Sequence, residues 1–174
     1  MFGMTDDGTE FVTFQGLSRT TYGIWQGSIT DASNAAITND LLQRAIDKGE
    51  RRSGRKIDRI CSHRNQRRGY LNLVTPQKRF HEGNLDSGYQ TLSWNGMPWD
   101  VSHDCQREVV YSWPKKDVQR FEAHGIKLDE TEGHTLHRIS RSDVFEAYYK
   151  HYGNAGTKYP ASCVRLDNLQ VLSE

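Results

Sequence analysis

The sequence predicts an α+β fold in which two principal helices are set into a mixed sheet. Three observations point there. Residues 38–53 and 62–74 carry apolar side chains at helical spacing, with capping residues at their ends. From Tyr89 the apolar residues alternate instead, and Asn95-Gly96 stands between two such runs as a two-residue hairpin turn does. Between the helices, and again near the end, short β-branched and aromatic runs read as strands.

At 174 residues the chain has room for one ordinary domain, or one with a small appendage. Its 23 Lys and Arg against 22 Asp and Glu leave a net charge of +1, so no global field selects DNA, a membrane or an acidic ligand as partner. Electrostatic specificity has to be local. Only 35% of residues are hydrophobic, yet Trp25, Trp94, Trp99, Trp113 and eight tyrosines argue against disorder. Aromatic-rich, aliphatic-poor chains suit thin cores and wet interfaces, which predicts a protein that works inside an assembly. Cys61, Cys105 and Cys163 are far apart with no CxxC spacing, which argues against a disulfide framework or a cysteine zinc site and fits a reducing compartment. No apolar run resembles a signal peptide or a membrane span, so no membrane partner is expected.

Taken in order, residues 1–10 are small, polar and acidic and read as a flexible lead. FVTFQGL and TTYGIWQGSI, broken by Gly16, Gly23 and Gly27, read as short strands or an extended arm with bends. Thr38 suits the N-cap of the first helix, Asp40 its positive end, and Gly54 its C-terminal stop. KIDRICS alternates as a strand, and Ser62 can cap the second helix, which Pro76 follows. Gly69 in mid-helix costs about 1 kcal/mol against Ala, so something should pack closely there. Pro98 implies an edge or a bulge in the second arm of the hairpin. EVVYSW reads as a strand, VQRFEAHGIKLDE as further short strands, and VFEAYYKHYG as strand or helix. ASCVRLDNLQVL ends the chain as a strand.

Candidate chemistry is sparse. His63, Asn65, His81 and His103 have the residue types of an HNH nuclease without its spacing, and His134 and His137 fall in loop and strand. An exposed or singly hydrogen-bonded histidine is the simpler reading of each. Cys61 beside His63 is a faint thiol–imidazole pair, for which a structural cysteine is the commoner outcome. No nucleophile elbow, Walker A loop or dinucleotide fingerprint occurs, and no catalytic residue, cofactor or metal is expected.

The basic stretch is the stronger signal. Lys48, Arg51, Arg52, Arg55, Lys56, Arg59, Arg64, Arg67 and Arg68 face only Glu50 and Asp58 between residues 48 and 68. Such a patch can track phosphates. It can equally be a solvated face, or one half of a contact whose acidic partner is Asp129, Glu130 and Glu132 of a neighbouring copy. No stacking aromatics interleave with the arginines, which favours subunit or solvent contact. Arg51, Arg52, Arg55, Lys56, Arg64, Arg67 and Arg68, with those three acids, are the candidate contact residues.

The order of segments carries more than any one of them. GLSRTTYGIWQG is followed by TNDLLQRAIDKGERRSGRKID, RICSH and RNQRRGYLNL. Then come RF, GYQTLSWNGMPWDVSHDC, VVYSW and HRISRSDVFEAYYKHYGNAGTKYPASCVRLDNL. This series resembles the carboxyl-terminal portion of tailed-phage major capsid proteins of the Hong Kong 97 type, over residues 11 to about 172. Asn95-Gly96 with Asp104-Cys105 matches the middle of that pattern, and Tyr152-Gly153-Asn154 before Pro160 its end.

The resemblance implies a truncated Hong Kong 97-like fold that keeps the axial domain and part of the peripheral domain, without the amino-terminal arm, extended loop and spine helix. On that pattern residues 1–15 are the lead and first strand, 16–37 a peripheral-domain-like strand segment, 38–140 the axial-domain-like core and 141–174 the returning strands. The implied function is a structural head subunit, or a capsid-derived fragment, whose copies form pentamers and hexamers of an icosahedral shell around phage DNA. Its partners would be other copies of itself, full-length capsid subunits and, non-specifically, packaged DNA. Its location would be the virion capsid, reached through the host cytoplasm. The alternative is a small nucleic-acid-binding or HNH-like nuclease protein using residues 48–68.

Overall fold

A computed structural model describes residues 2–74, 92–130, 133–141 and 143–173. One helical turn, α1 (Phe2–Thr5), is followed by an antiparallel hairpin of β1 (Thr13–Phe14) and β2 (Leu17–Ser18). The acidic lead is packed: Met4, Thr5 and Asp6 are buried, and Asp6 pairs with Arg19. A 3-10 turn (Gly23–Trp25) then enters β3 (Ser28–Asp31). A Cβ on Gly27 would lie 2.1 Å from the Thr5 carbonyl oxygen, so a glycine is what lets the lead seat against this segment.

Helix α2 (Asn39–Ser53) begins and stops where its capping residues dictate. The Leu41 N–H donates to Thr38 Oγ1 at 3.2 Å, and Asp40 lies in the first turn. Gly54 ends it in the left-handed conformation (φ +65°), its N–H donating to the Glu50 carbonyl at 2.7 Å. Leu42, Ala45, Ile46 and Gly49 form its buried stripe. After β4 (Arg59–Ser62), helix α3 (Arg64–Val74) starts one residue later than the Ser62 cap expected from the sequence. The cap is His63: the Asn65 N–H donates to its Nδ1 at 3.1 Å. Ser62 is held in the strand instead, its Oγ accepting from Trp99 Nε1 at 2.8 Å. Gly69 has the expected close neighbours, with Ile37 Cγ2 and Leu172 Cδ1 at 3.1 and 3.5 Å from where its Cβ would stand. Pro76 lies outside the described residues.

The Asn95-Gly96 hairpin forms between β5 (Leu92–Trp94) and β6 (Met97–Val101). Asn95 and Gly96 both take positive φ, +50° and +79°, as a type I′ turn requires. Pro98 lies in β6, an inner strand between β4 and β5, rather than at the sheet edge expected from the sequence. It pairs with Ser93 of β5, while β4 joins β6 only from Trp99 onward, so no neighbour asks Pro98 for an N–H. Strand β7 (Val110–Trp113) follows.

Residues 118–128, expected as several short strands, form one eleven-residue strand, β8 (Val118–Leu128). Its partner β11 (Tyr149–Thr157) pairs with it in a two-stranded sheet. A small antiparallel pair, β9 (His137–Arg138) and β10 (Phe145–Glu146), lies between them in sequence. The VFEAYYKHYG stretch is therefore strand rather than helix. A 3-10 turn (Pro160–Ser162) leads to β12 (Val164–Asp167).

Among the described residues the main sheet has six strands in the order β3-β12-β7-β4-β6-β5, parallel at β12–β3 and β4–β6 and antiparallel elsewhere. One face buries Val164, Leu166, Val110, Ile60, Trp99 and Trp94 in a single core with Leu42, Ala45 and Ile46 of α2 and Tyr70 of α3. Full burial of a Val, Leu or Ile side chain contributes about 1.5–3 kcal/mol. Tyr70 stacks on Trp99 at 5.1 Å between centroids, and Trp94 Nε1 donates to Asn39 Oδ1 at 3.1 Å. Cross-strand partners share a face, so Ile29, Arg165, Tyr111, Cys61 and Asp100 form a row on the other side.

The chain divides into two compact units, Met1–Val118 with Thr157–Glu174, and Gln119–Gly156. No helix among the described residues is long and apolar enough to cross a membrane.

Candidate contact surfaces

The basic stretch is largely spent on its own chain. Arg52, in the last turn of α2, donates to the carbonyls of Gly27 (3.0 Å) and Gly23 (2.8 Å) and to Gln26 Oε1 (2.9 Å), tying the loop before β3 to the helix end. Arg55 pairs with the buried Asp117 and lies over the Tyr159 ring at 4.6 Å. Asp117 also accepts from Ser162 Oγ at 2.7 Å. Lys48 donates to the Ile29 carbonyl, and Arg68 to the Ser173 carbonyl at 2.7 Å. Arg59 faces Asp100 at 3.7 Å across β4 and β6. Arg64 contacts His103 Nε2 at 3.3 Å, and Arg67 is half-buried on α3.

The two acids of the stretch are committed as well. Glu50 accepts the Ile57 N–H at 2.9 Å and Asp58 the Lys115 N–H at 2.7 Å. Arg51 and Lys56 are exposed. Arg51 shares a shallow groove on the outer side of α2 with Asp40, Gln43, Arg44, Asp47 and Lys48.

On the acidic side, Asp129 and Glu130 follow directly on β8, and Glu132 lies outside the described residues. Lys150 Nζ meets Asp129 Oδ2 at 2.6 Å, and that hydrogen bond raises the Lys150 pKa above its ordinary value. Both residues line a cleft of about 560 Å³ with His124, Lys127, Leu128, Glu130, Thr135 and Tyr152. Glu130 is exposed.

The Gln119–Gly156 unit carries a feature that hydropathy alone concealed. Its strands expose Phe121, Ile126, Leu128, Phe145, Tyr149 and Tyr152, with Ile126 and Tyr149 72% and 74% accessible. A neighbour that covered such side chains would remove apolar surface from water. Alternation in the sequence marked these residues as strand. It did not disclose that they stand exposed to solvent.

Among the described histidines, His134 is exposed, and His63, His103 and His137 have local partners. His63 caps α3, and Asn65 beside it accepts from the Leu172 N–H (3.0 Å) and donates to the Leu172 carbonyl (2.9 Å). His103 meets Arg64, and His81 lies outside the described residues. His137 stacks on Tyr148. Among the described residues no three His, Cys, Asp or Glu side chains gather as metal ligands would. Cys61 does not pair with His63; its Sγ lies 3.7 Å from Cys105 Sγ, a proximity the spacing gave no hint of.

No protein-family profile matches the chain, and no curated protein matches it by sequence. Among solved structures it is similar to the holo-SrpI encapsulin complex of Synechococcus elongatus PCC 7942, with a TM-score of 0.64 and 14% identity over 84% of this chain and 54% of that one. It is also similar to the capsid asymmetric unit of cyanophage A-1(L), with a TM-score of 0.49 and 13% identity over 92% of this chain and 54% of that one. The chain thus spans about half the length of each. The encapsulin likeness defines the fold: a mixed α+β arrangement of the Hong Kong 97-like capsid type.

Proposed function

We propose that this chain is a structural, shell-forming protein, a capsid-type subunit or capsid-derived piece that acts by repeated self-association rather than by catalysis. The observation that carries the reading is the match of 84% of the chain to an encapsulin subunit at a TM-score of 0.64. The exposed apolar ribbon of Gln119–Gly156 supports it, because such a surface gains stability when a neighbour covers it.

Copies arranged around a symmetry axis make heterologous contacts, so one flank must match a different flank. Arg51 and Lys56, exposed at the end of α2, are proposed to face the acidic run Asp129, Glu130 and Glu132 of the next copy. Arg64 and Arg67, on α3, are proposed as further members of the basic contact surface. Arg52, Arg55 and Arg68 stabilise it from within through the bonds described above. Pentamers and hexamers of an icosahedral shell, non-specific contact with enclosed phage DNA, co-assembly with full-length capsid subunits and a virion location reached through the host cytoplasm are the finer parts of this proposal.

Sedimentation velocity and electron microscopy over a rising concentration series test it. Self-association into rings or shells is expected, weakened about tenfold by Arg51→Glu with Lys56→Glu while the circular dichroism stays unchanged. A chain that stays monomeric throughout, and does not enter shells of a co-expressed full-length subunit, would overturn the reading.

A further inference from the structure

Strand β4 and the loop after β6 bring together two thiols that lie 44 residues apart in sequence. Cys61 Sγ stands 3.7 Å from Cys105 Sγ, and both residues are half-buried, neither sealed in the core nor fully open. Cys61 belongs to the sheet row opposite the helices, between Asp100 and Tyr111. Cys105 lies in a loop anchored on both sides. The Ser102 N–H donates to the Ser62 carbonyl at 3.1 Å, and Gln66 Nε2 to the Arg107 carbonyl at 2.7 Å. Those anchors hold the two sulfurs near each other without tertiary rearrangement. A disulfide sets its sulfurs about 2.05 Å apart, so closure draws these two together by about 1.7 Å. Cys163 differs: it is completely buried, against Thr157 Oγ1.

We propose that Cys61 and Cys105 form a reversible intramolecular disulfide by exchange with a low-molecular-weight disulfide of the glutathione class, clasping the β6–β7 loop to β4. Cys105, outside the sheet, reacts first. Its thiol loses a proton to solvent, and the thiolate attacks one sulfur of the small disulfide; that S–S bond breaks, and the departing thiolate takes up a proton. The Cys61 sulfur, deprotonated in turn, attacks Cys105 Sγ and displaces the second small thiolate, which is also protonated. Two protein thiols are oxidised and one small disulfide is reduced to two thiols. Burial pushes the Cys61 thiol up to about 12, which suits a second, resolving role over that of first nucleophile. The closed loop contains α3, β5 and β6, so the clasp restricts the unfolded chain across the half of the sheet nearest the hairpin.

The purified chain is incubated with oxidised glutathione, then alkylated and mapped by mass spectrometry. The expected product has lost the mass of two hydrogens, yields one cross-linked peptide pair containing Cys61 and Cys105, and leaves Cys163 free to alkylate after unfolding. Its thermal midpoint rises by about 5 °C or more, and dithiothreitol reverses both changes. Cys163→Ser behaves like the parent, whereas Cys61→Ser and Cys105→Ser do not cross-link. A persistent glutathione adduct on Cys105 of the parent, a bond between two chains, a link through Cys163, or two thiols left unmodified while a vicinal dithiol peptide is oxidised would each overturn the proposal. The parent mapping decides the matter even if a cysteine variant fails to fold.

Discussion

Arg19 donates to the Asp6 carboxylate at 2.9 Å with both side chains completely excluded from solvent. The pair organises the opening segment. Arg19 also donates to the carbonyls of Phe11 (3.0 Å), Trp25 (3.1 Å) and Gly3, and lies over the Phe14 ring. Asp6 accepts the N–H groups of Gly8 and Phe11 at 2.9 and 3.0 Å. Burial lowers the Arg19 pKa, and the Asp6 charge opposes that shift.

A buried pair is weak evidence for net stability, but removing one partner strands a charge. Asp6→Ala should therefore cost about 3–5 kcal/mol, read as a lower midpoint in urea denaturation. Asp6→Ala with Arg19→Met should cost less than Asp6→Ala alone. Equal losses in the single and double variants would show that the charge is not what matters here.

Gly49 sets helix propensity against packing. Alanine there gains about 1 kcal/mol of helix preference. Its Cβ would, however, fall 2.2 Å from Val164 Cγ2 and 3.3 Å from Ile57 Cδ1, between α2 and the sheet. Overpacking of that kind costs about 1–3 kcal/mol, so Gly49→Ala should be net destabilising. Combining it with Val164→Ala should recover part of the loss, as a thermal-denaturation cycle would reveal.

At the hairpin the cost is one of backbone alone. Gly96 has φ +79° and open space around it, so a side chain meets no neighbour but must adopt the left-handed region. Gly96→Val should destabilise by about 1–2 kcal/mol. Gly23→Ala, at a glycine with open space and no positive φ, should change chemical stability little.

Alkali should unfold the protein earlier than its acidic groups would suggest. Burial raises Cys61 from 9.0 to about 12, Cys163 from 9.0 to about 11 and Tyr111 from 10.0 to about 12. Each is neutral when protonated and holds its proton more tightly in the folded state. The unfolded chain then binds fewer protons, so this stability is complete below about pH 9 and falls as the pH rises toward 12. The thermal midpoint in reducing buffer should decline across that range, and Tyr111→Phe and Cys61→Ser should flatten the decline. A flat parent profile would contradict the burial of these groups.

What local pattern could convey, it conveyed. Thr38, Asp40 and Gly54 bound α2 and Asn95-Gly96 turns a type I′ hairpin, because each signal depends on backbone conformation within a few residues, whereas Gly69 announced a close approach without naming Ile37 and Leu172 as the neighbours. The α+β class followed from helical and alternating spacing, and the family resemblance carried by segment order implied the capsid-type fold. The cap of α3 was misplaced by one residue because Ser62 was already engaged by Trp99, 37 residues away, a bond no local pattern encodes.

The charged residues show the same division more sharply. A run of arginines between residues 48 and 68 is visible as a run, and its net charge invites a partner. Whether each guanidinium points to solvent or back into its own chain depends on where Gly23, Asp117 and Ser173 lie in space. Asp6 with Arg19 and Cys61 with Cys105 are pairs made by chain return, and the sequence displays only single residues. Short-range conformational preference is written residue by residue. The pairing of distant groups is decided by which faces the sheet and helices bury together, and only the tertiary structure carries that.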